Sequence, residues 1–140
     1  MWDFFWTFSR FEYALKQSGY CCARDGAAQA DWESFQNDLA KLDPAELDRV
    51  LACGQYIAKT PPKKQVLQGT GLAWADSTPT EPAIKTLLIY VRRVRNNLFH
   101  GGKMSEGSER DSTLIRESLA VLRAVLTLPK LPQGINDAFG

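Results

Sequence analysis

Histidine and cysteine are scarce in this 140-residue sequence, which has one histidine, His100, and three cysteines, Cys21, Cys22 and Cys53. Zinc sites usually take three or four clustered His and Cys ligands, so we expect no zinc centre. Magnesium held by carboxylates alone stays open, although no Asp/Glu cluster has a matching spacing, and we expect no cofactor. Vicinal cysteines such as Cys21-Cys22 rarely reach disulfide geometry, which predicts reduced thiols and a cytoplasmic protein.

The sequence also lacks a long apolar run, since no stretch reaches the ~18 uninterrupted apolar residues of a membrane span. The apolar N-terminus carries Asp3 where a signal peptide would be basic, and Arg10 and Glu12 interrupt it. We therefore expect no membrane association. The length suits one domain, predicted over 1–128, followed by a proline-containing C-terminal tail over 129–140.

Period-two alternation between turn signals is absent as well, and helical periodicity takes its place. The pattern predicts helices at about 2–18, 31–42, 44–59, 82–99 and 109–127. Asp31 and Asp43 are the predicted N-caps of two of them. The stretch 20–30 is interpreted as short and irregular, and the stretch 60–80 as an ordered surface loop. The resulting prediction is an all-α fold, most simply a four- to five-helix antiparallel bundle.

The first predicted helix has two apolar faces. One face is typical of core packing and carries Phe4, Phe8, Phe11 and Leu15. The opposite face is aromatic and carries Trp2, Trp6 and Tyr13. This second face needs a partner, which could be another helix of the same domain or a second subunit.

An arginine stands on the apolar face of the helix predicted at 82–99. That face consists of Ile84, Leu87, Leu88, Val91, Val94 and Leu98. Arg95 falls inside this arc, and an unpaired buried guanidinium costs several kcal/mol. Three explanations stay open: Arg95 reaches the helix end along an apolar stem, pairs with a buried carboxylate, or lines a polar cleft.

The single histidine follows Arg95 by five residues and immediately precedes Gly101-Gly102, which predict the end of the helix. On an unbroken helix, side chains five residues apart diverge. The glycines would let His100 leave the helical path and fold back beside Arg95. Alternatively, His100 could simply interact with the negative end of the helix dipole.

Positive charge concentrates around these two residues, although the net charge of the chain is only +1. Between Pro82 and Ser105 no Asp or Glu occurs, and the cations are Lys85, Arg92, Arg93, Arg95 and Lys103. A local basic patch of this kind suits a phosphodiester, RNA especially.

The stretch Arg95-Asn96-Asn97-Leu98-Phe99-His100 resembles the Arg-x4–6-His motif of the HEPN superfamily (higher eukaryote and prokaryote nucleotide-binding domains), in particular small bacterial toxin and defence proteins. The helical order, the late position of the motif and the helix after it also match, so the resemblance covers residues 2 to 127. It implies a homodimer that cleaves RNA without a metal, with the motifs of both subunits meeting in one cleft. A single histidine per chain fits this expectation, because two chains supply one base and one acid.

The resemblance also implies residue roles. His100 is expected to act as general base or acid, Arg95 to stabilise the pentacoordinate phosphorane, and Asn96 to position the phosphate or the histidine. The products would be a 2′,3′-cyclic phosphate and a 5′-hydroxyl. The residues predicted to bind RNA are Arg92, Arg93, Asn97 and Lys103.

Other functions remain open at this stage. An antitoxin or a defence-system protein is a possible partner. Gly102 stands where some family members carry a tyrosine modified by a nucleotidyltransferase, which argues against an antitoxin of that kind. One alternative is a non-catalytic module that binds RNA or nucleotides in a defence or toxin–antitoxin complex. Another is a purely structural helical dimer in which His100 caps a helix.

Overall fold

A computed structural model of the chain describes residues 1–76, 78–79, 81–100, 109–132 and 135, with the side chain of His100 outside the description. Six helices and two hairpins occur within these residues. In chain order they are α1 (Trp2–Gln17), β1 (Cys21–Arg24), β2 (Ala27–Ala30), α2 (Trp32–Leu39), α3 (Pro44–Cys53), α4 (Gln55–Lys59), β3 (Lys64–Gln68), β4 (Gly71–Ala75), α5 (Ala83–His100) and α6 (Glu109–Leu126).

The two predicted N-caps are confirmed. Asp31 caps α2, because its Oδ1 accepts a hydrogen bond from the backbone N–H of Ser34 at 3.1 Å. Asp43 caps α3 by accepting from the N–H of Ala45 at 2.9 Å, and Pro44 is the first helical residue. Both side chains satisfy amide groups that a helix start leaves without an intrahelical partner.

The core forms around α5, which packs against α2, α3, α4, α6 and β3. Its residues Leu88, Val91 and Val94 are completely buried, as the apolar arc predicts. The core face of α1 is confirmed too, since Phe4, Phe8, Phe11 and Leu15 are all buried. Ile135, in the predicted tail, is likewise completely buried.

The helix predicted at 44–59 is divided at Gly54 into α3 and α4. Gly54 permits a close approach to α5, because a Cβ atom at this position would lie 2.5 Å from Cδ1 of Leu87. The start of α4 has no cap from its own segment. Instead, Oε1 of Glu117 on α6 accepts from the N–H groups of Tyr56 at 2.9 Å and Ile57 at 3.1 Å.

The all-α prediction is wrong, because two antiparallel hairpins occupy stretches interpreted as loops. In the first hairpin, Cys21 pairs with Ala30 and Arg24 with Ala27. Nearly every residue of β1 and β2 is exposed, so no buried face imposes an apolar–polar alternation on the sequence. The informative signal is the turn: Asp25 and Gly26 both have positive φ, and Asp-Gly at the two central positions favours a two-residue hairpin turn.

The second hairpin lies within the predicted loop 60–80. It pairs Lys64 with Ala75 and Gln68 with Gly71. Gly69, with φ +64°, begins its two-residue turn, which is the glycine position of a type II′ turn. The side chains of β3 and β4 are half-buried or exposed, so this hairpin also escapes a search based on periodicity.

Glu117→Ala should lower the free energy of unfolding by about 1–3 kcal/mol, because it leaves two amide groups of α4 without an acceptor. Urea denaturation measures the effect. Glu117→Gln is the matched control, since it keeps an oxygen at the same position and should retain most of the stability. Equal stability of Glu117→Ala and the wild type would contradict a capping role.

Candidate nucleic-acid interface

The guanidinium of Arg95 lies against aromatic rings near the C-terminal end of α5. Its Cζ atom is 5.4 Å from the ring centre of Phe8 and 4.7 Å from that of Phe99. Its Nη1 donates to Oδ1 of Asn96 at 3.2 Å. Within the part of the chain that the structure describes, no carboxylate lies within ion-pair distance of Arg95. None of the described carboxylates therefore neutralises the positive charge of Arg95.

Arg95 contributes to a pocket between α1 and α5 with a volume of about 300 Å³. We call it the aromatic pocket, and it is lined by Trp2, Phe5, Trp6, Ser9, Arg95 and Phe99. Of the three explanations for Arg95, cleft lining fits best, although the cleft is aromatic rather than polar. The second face of α1 remains largely open to solvent, with Trp2 76% and Trp6 61% exposed.

A second pocket, with a volume of about 250 Å³, lies between β3 and α5. We call it the polar pocket, and it is lined by Lys64, Gln65, Arg93, Asn96 and Asn97. No carboxylate belongs to this lining set. Burial lowers the pKa of the Arg93 guanidinium, while Tyr90 acts in the opposite direction.

Asn97 is a buried residue of the polar pocket and connects its two sides. The side chain is only 7% exposed, and its Nδ2 donates to the backbone carbonyl of Lys63 at 3.0 Å. This hydrogen bond ties the start of the second hairpin to α5, so that Lys64 and Gln65 lie beside Arg93 and Asn96. Asn96 belongs to both sites, because it lines the polar pocket and accepts the hydrogen bond from Arg95.

Two cations of the basic segment lie away from these pockets. Arg92 is stacked over Trp32, with its Cζ atom 5.4 Å from the ring centre, and donates to Oε1 of Gln36 at 3.4 Å. Burial lowers the pKa of Arg92, whereas the charge of Glu12 raises it. Lys85 approaches Glu33 on α2, with 3.8 Å between Nζ and Oε1. The contacts of Arg92 are those of a packing residue, and its RNA-binding role stays a prediction.

The expected Arg95–His100 pair remains a prediction. His100 is the last residue of α5, and its backbone is helical. Its side chain lies outside the described part of the chain. Position 100 is four residues beyond Asn96, and positions four apart are neighbours on a helix surface. Lys103, predicted to bind RNA, also lies outside the described residues.

The sequence patterns did not indicate five of the residues that line the two pockets, namely Phe5, Ser9, Lys64, Gln65 and Phe99. Lys64 and Gln65 belong to a strand that was interpreted as loop, and Phe99 was treated only as part of the motif spacing. The Gly69 turn could have identified the hairpin. No local pattern would have shown that the hairpin lies against the end of α5, because that contact is long-range.

Other kinds of site receive little support from the geometry. Among the residues described, no three His, Cys, Asp or Glu side chains come close enough to hold a metal ion. All three cysteines are free thiols. None of the helices in the described ranges has both the length and the apolar character needed to cross a membrane.

The fold is mainly helical, with two hairpins at the surface. Two pockets that each contain an arginine lie near the C-terminal end of α5. None of the family models, curated proteins or solved structures with which the chain was compared matches it. Its function is therefore inferred from the chemistry of its own residues.

Arg92→Ala should lower the free energy of unfolding by about 1–2 kcal/mol, because it removes a half-buried cation–π contact and a hydrogen bond between α5 and α2. Urea denaturation tests this expectation. Arg49→Ala is the control, since Arg49 makes only an exposed pair with Glu46 that is worth about 0–1 kcal/mol. An unchanged stability of Arg92→Ala would argue against a packing role.

Proposed function

We propose that this protein is a metal-independent endoribonuclease of the HEPN type, acting as a cytoplasmic homodimer in a toxin or defence setting. The observation that carries the proposal is the environment of Arg95. Its guanidinium is held on aromatic rings, has no carboxylate partner among the described residues, and lies five positions before the only histidine. A cation of this kind suits the negative charge that develops on a phosphorane.

The proposed reaction begins with attack of the ribose 2′-oxygen on the adjacent phosphorus. One His100 takes the proton of the 2′-hydroxyl as general base, and the new bond joins O2′ to phosphorus. The bond from phosphorus to O5′ breaks, and the partner's His100, in its protonated form, acts as general acid and gives O5′ a proton. Arg95 stabilises the phosphorane, and Asn96, through its hydrogen bond with Arg95, orients the guanidinium.

The aromatic face of α1 is the proposed dimer interface. Trp2, Trp6 and Phe99 expose most of their side-chain surface, and large exposed aromatic patches usually mark interaction sites. Arg95 lines the same pocket as these rings. A two-fold axis through this face would therefore bring the two copies of the motif together in one cleft. An antitoxin or another defence protein could restrain the activity at the same cleft.

A non-catalytic RNA-binding module is the second candidate. The aromatic pocket and the polar pocket offer stacking surfaces and cations, and these would bind RNA without any contribution from His100. The two candidates differ in a single observable property, which is cleavage.

Purified wild-type protein should cleave RNA in EDTA and leave 2′,3′-cyclic phosphate ends. His100→Ala should slow cleavage by about 100- to 10,000-fold, because it removes the general base and acid. Arg95→Ala should slow it by about 100-fold or more, through loss of charge stabilisation. Gel analysis of a defined RNA and identification of its end groups measure these effects.

Arg49→Ala is the matched control, because it removes an exposed arginine that lines neither pocket. Circular dichroism should show an unchanged helical content in all three variants. Cleavage by His100→Ala at the wild-type rate would rule out the proposed chemistry. RNA binding without cleavage by the wild type would favour the non-catalytic module.

Trp6→Asp should convert the dimer to a monomer and reduce cleavage, because it places a charge in the proposed interface. Sedimentation velocity measures the oligomeric state. Leu67→Asp is the control, since Leu67 is 73% exposed in the second hairpin, outside the aromatic pocket. A Trp6→Asp variant that remains dimeric would place the interface elsewhere.

A further inference from the structure

We propose that the polar pocket binds a backbone phosphate of the RNA strand, and that Lys64 and Gln65 of the second hairpin are substrate-binding residues. This inference rests on the proposed function, since it assumes that RNA is the substrate. It extends that function to two hairpin residues, Lys64 and Gln65, which lie 31 and 30 positions before Arg95.

The chemistry of the lining favours an anion. Lys64 and Arg93 supply two positive charges, and Gln65, Asn96 and Asn97 supply amide groups. No carboxylate belongs to this lining, which therefore consists of two cationic and three amide side chains. Cations and side-chain amides are the groups that proteins use to hold phosphate oxygens.

The size of the pocket accommodates a phosphate group. Its volume of about 250 Å³ is many times the ~10–15 Å³ that one water molecule needs on the same measure. One wall is anchored, because the buried side chain of Asn97 donates a hydrogen bond to the backbone carbonyl of Lys63. The backbone next to Lys64 is therefore attached to α5 before the strand arrives, which reduces the entropy lost on binding.

The position of the pocket connects it to the candidate cleavage site. Asn96 lines the polar pocket and accepts the hydrogen bond from Arg95, whose guanidinium lines the aromatic pocket. A strand whose reacting phosphate lies at Arg95 would thus continue into the polar pocket with its next phosphate. A phosphate held there would align the strand without taking part in the chemistry.

The salt dependence of RNA binding tests the proposal. A fluorescent single-stranded RNA with 2′-O-methyl groups, which cannot be cleaved, is titrated in EDTA at several salt concentrations. Lys64→Ala should weaken binding and reduce the slope of log K against log salt by about 0.7, the contribution of one phosphate contact in a single strand. Gln65→Glu should also weaken RNA binding relative to the wild type, because it places a negative charge in the pocket.

Lys63→Ala is the matched control. Lys63 is the neighbouring lysine, but its side chain approaches Asp76 at 3.7 Å and does not line the pocket. Its variant should keep the wild-type slope. A wild-type slope for Lys64→Ala, or an equal loss in both variants, would overturn the assignment.

Two further outcomes separate the proposals from each other. If the wild type binds this RNA with the Lys64-dependent slope yet cleaves no RNA, the nuclease proposal fails and the phosphate site stands. If the wild type cleaves RNA and Lys64→Ala binds with an unchanged slope, the phosphate site fails and the nuclease stands. A wild type that binds no RNA overturns the phosphate site.

Inorganic phosphate distinguishes a strand site from a site for the free anion. At constant ionic strength it should displace the RNA only in large molar excess, because the strand also contacts Arg95. Displacement by phosphate at concentrations equal to that of the RNA would overturn the assignment to a strand.

Discussion

Burial of α5 on several sides is the constraint on which the rest of the structure depends. Four other helices and β3 pack against this one helix, and Leu88, Val91 and Val94 are completely removed from solvent. Apolar burial of this extent is the main favourable term in folding. The charged residues of α5 are therefore half-buried and lie at the edges of the packed surface.

The candidate site follows from that arrangement. Arg95 lies at one edge of this packed surface, where its guanidinium contacts the rings of Phe8 and Phe99 and no described carboxylate. Arg93 lies at another edge, beside the hairpin that Asn97 fastens to the helix. The two arginines thus line separate pockets. The hydrogen bond from Arg95 to Asn96 connects the aromatic pocket with the polar pocket. An aromatic pocket and a polar pocket therefore lie side by side near the end of α5.

The helices were predictable from the sequence because their signals are local. Asp31 and Asp43 are residues that favour the N-cap position, and they mark the starts of α2 and α3. The apolar residues of α1 recur with the helical period. The hairpins were missed because exposed strands carry no such stripe, and the Asp25-Gly26 turn was the one local sign of the first. The division at Gly54 was not predicted, and the close approach of this position to Leu87 is a contact between different helices that local patterns do not show.

The sequence by itself determined the starts of α2 and α3, the core faces of α1 and α5, and that a cation stands on an apolar face with a single histidine beyond it. These properties depend on capping residues and on the 3.6-residue period of the helix. Both are set by residues close together in the chain, so the sequence shows them directly. Only the tertiary structure decided that Arg95 meets aromatic rings, that Arg92 stacks on Trp32 instead, and that Lys64 joins Arg93 in one pocket. Such contacts join residues distant in the chain, and their geometry is set by how the helices and hairpins pack together.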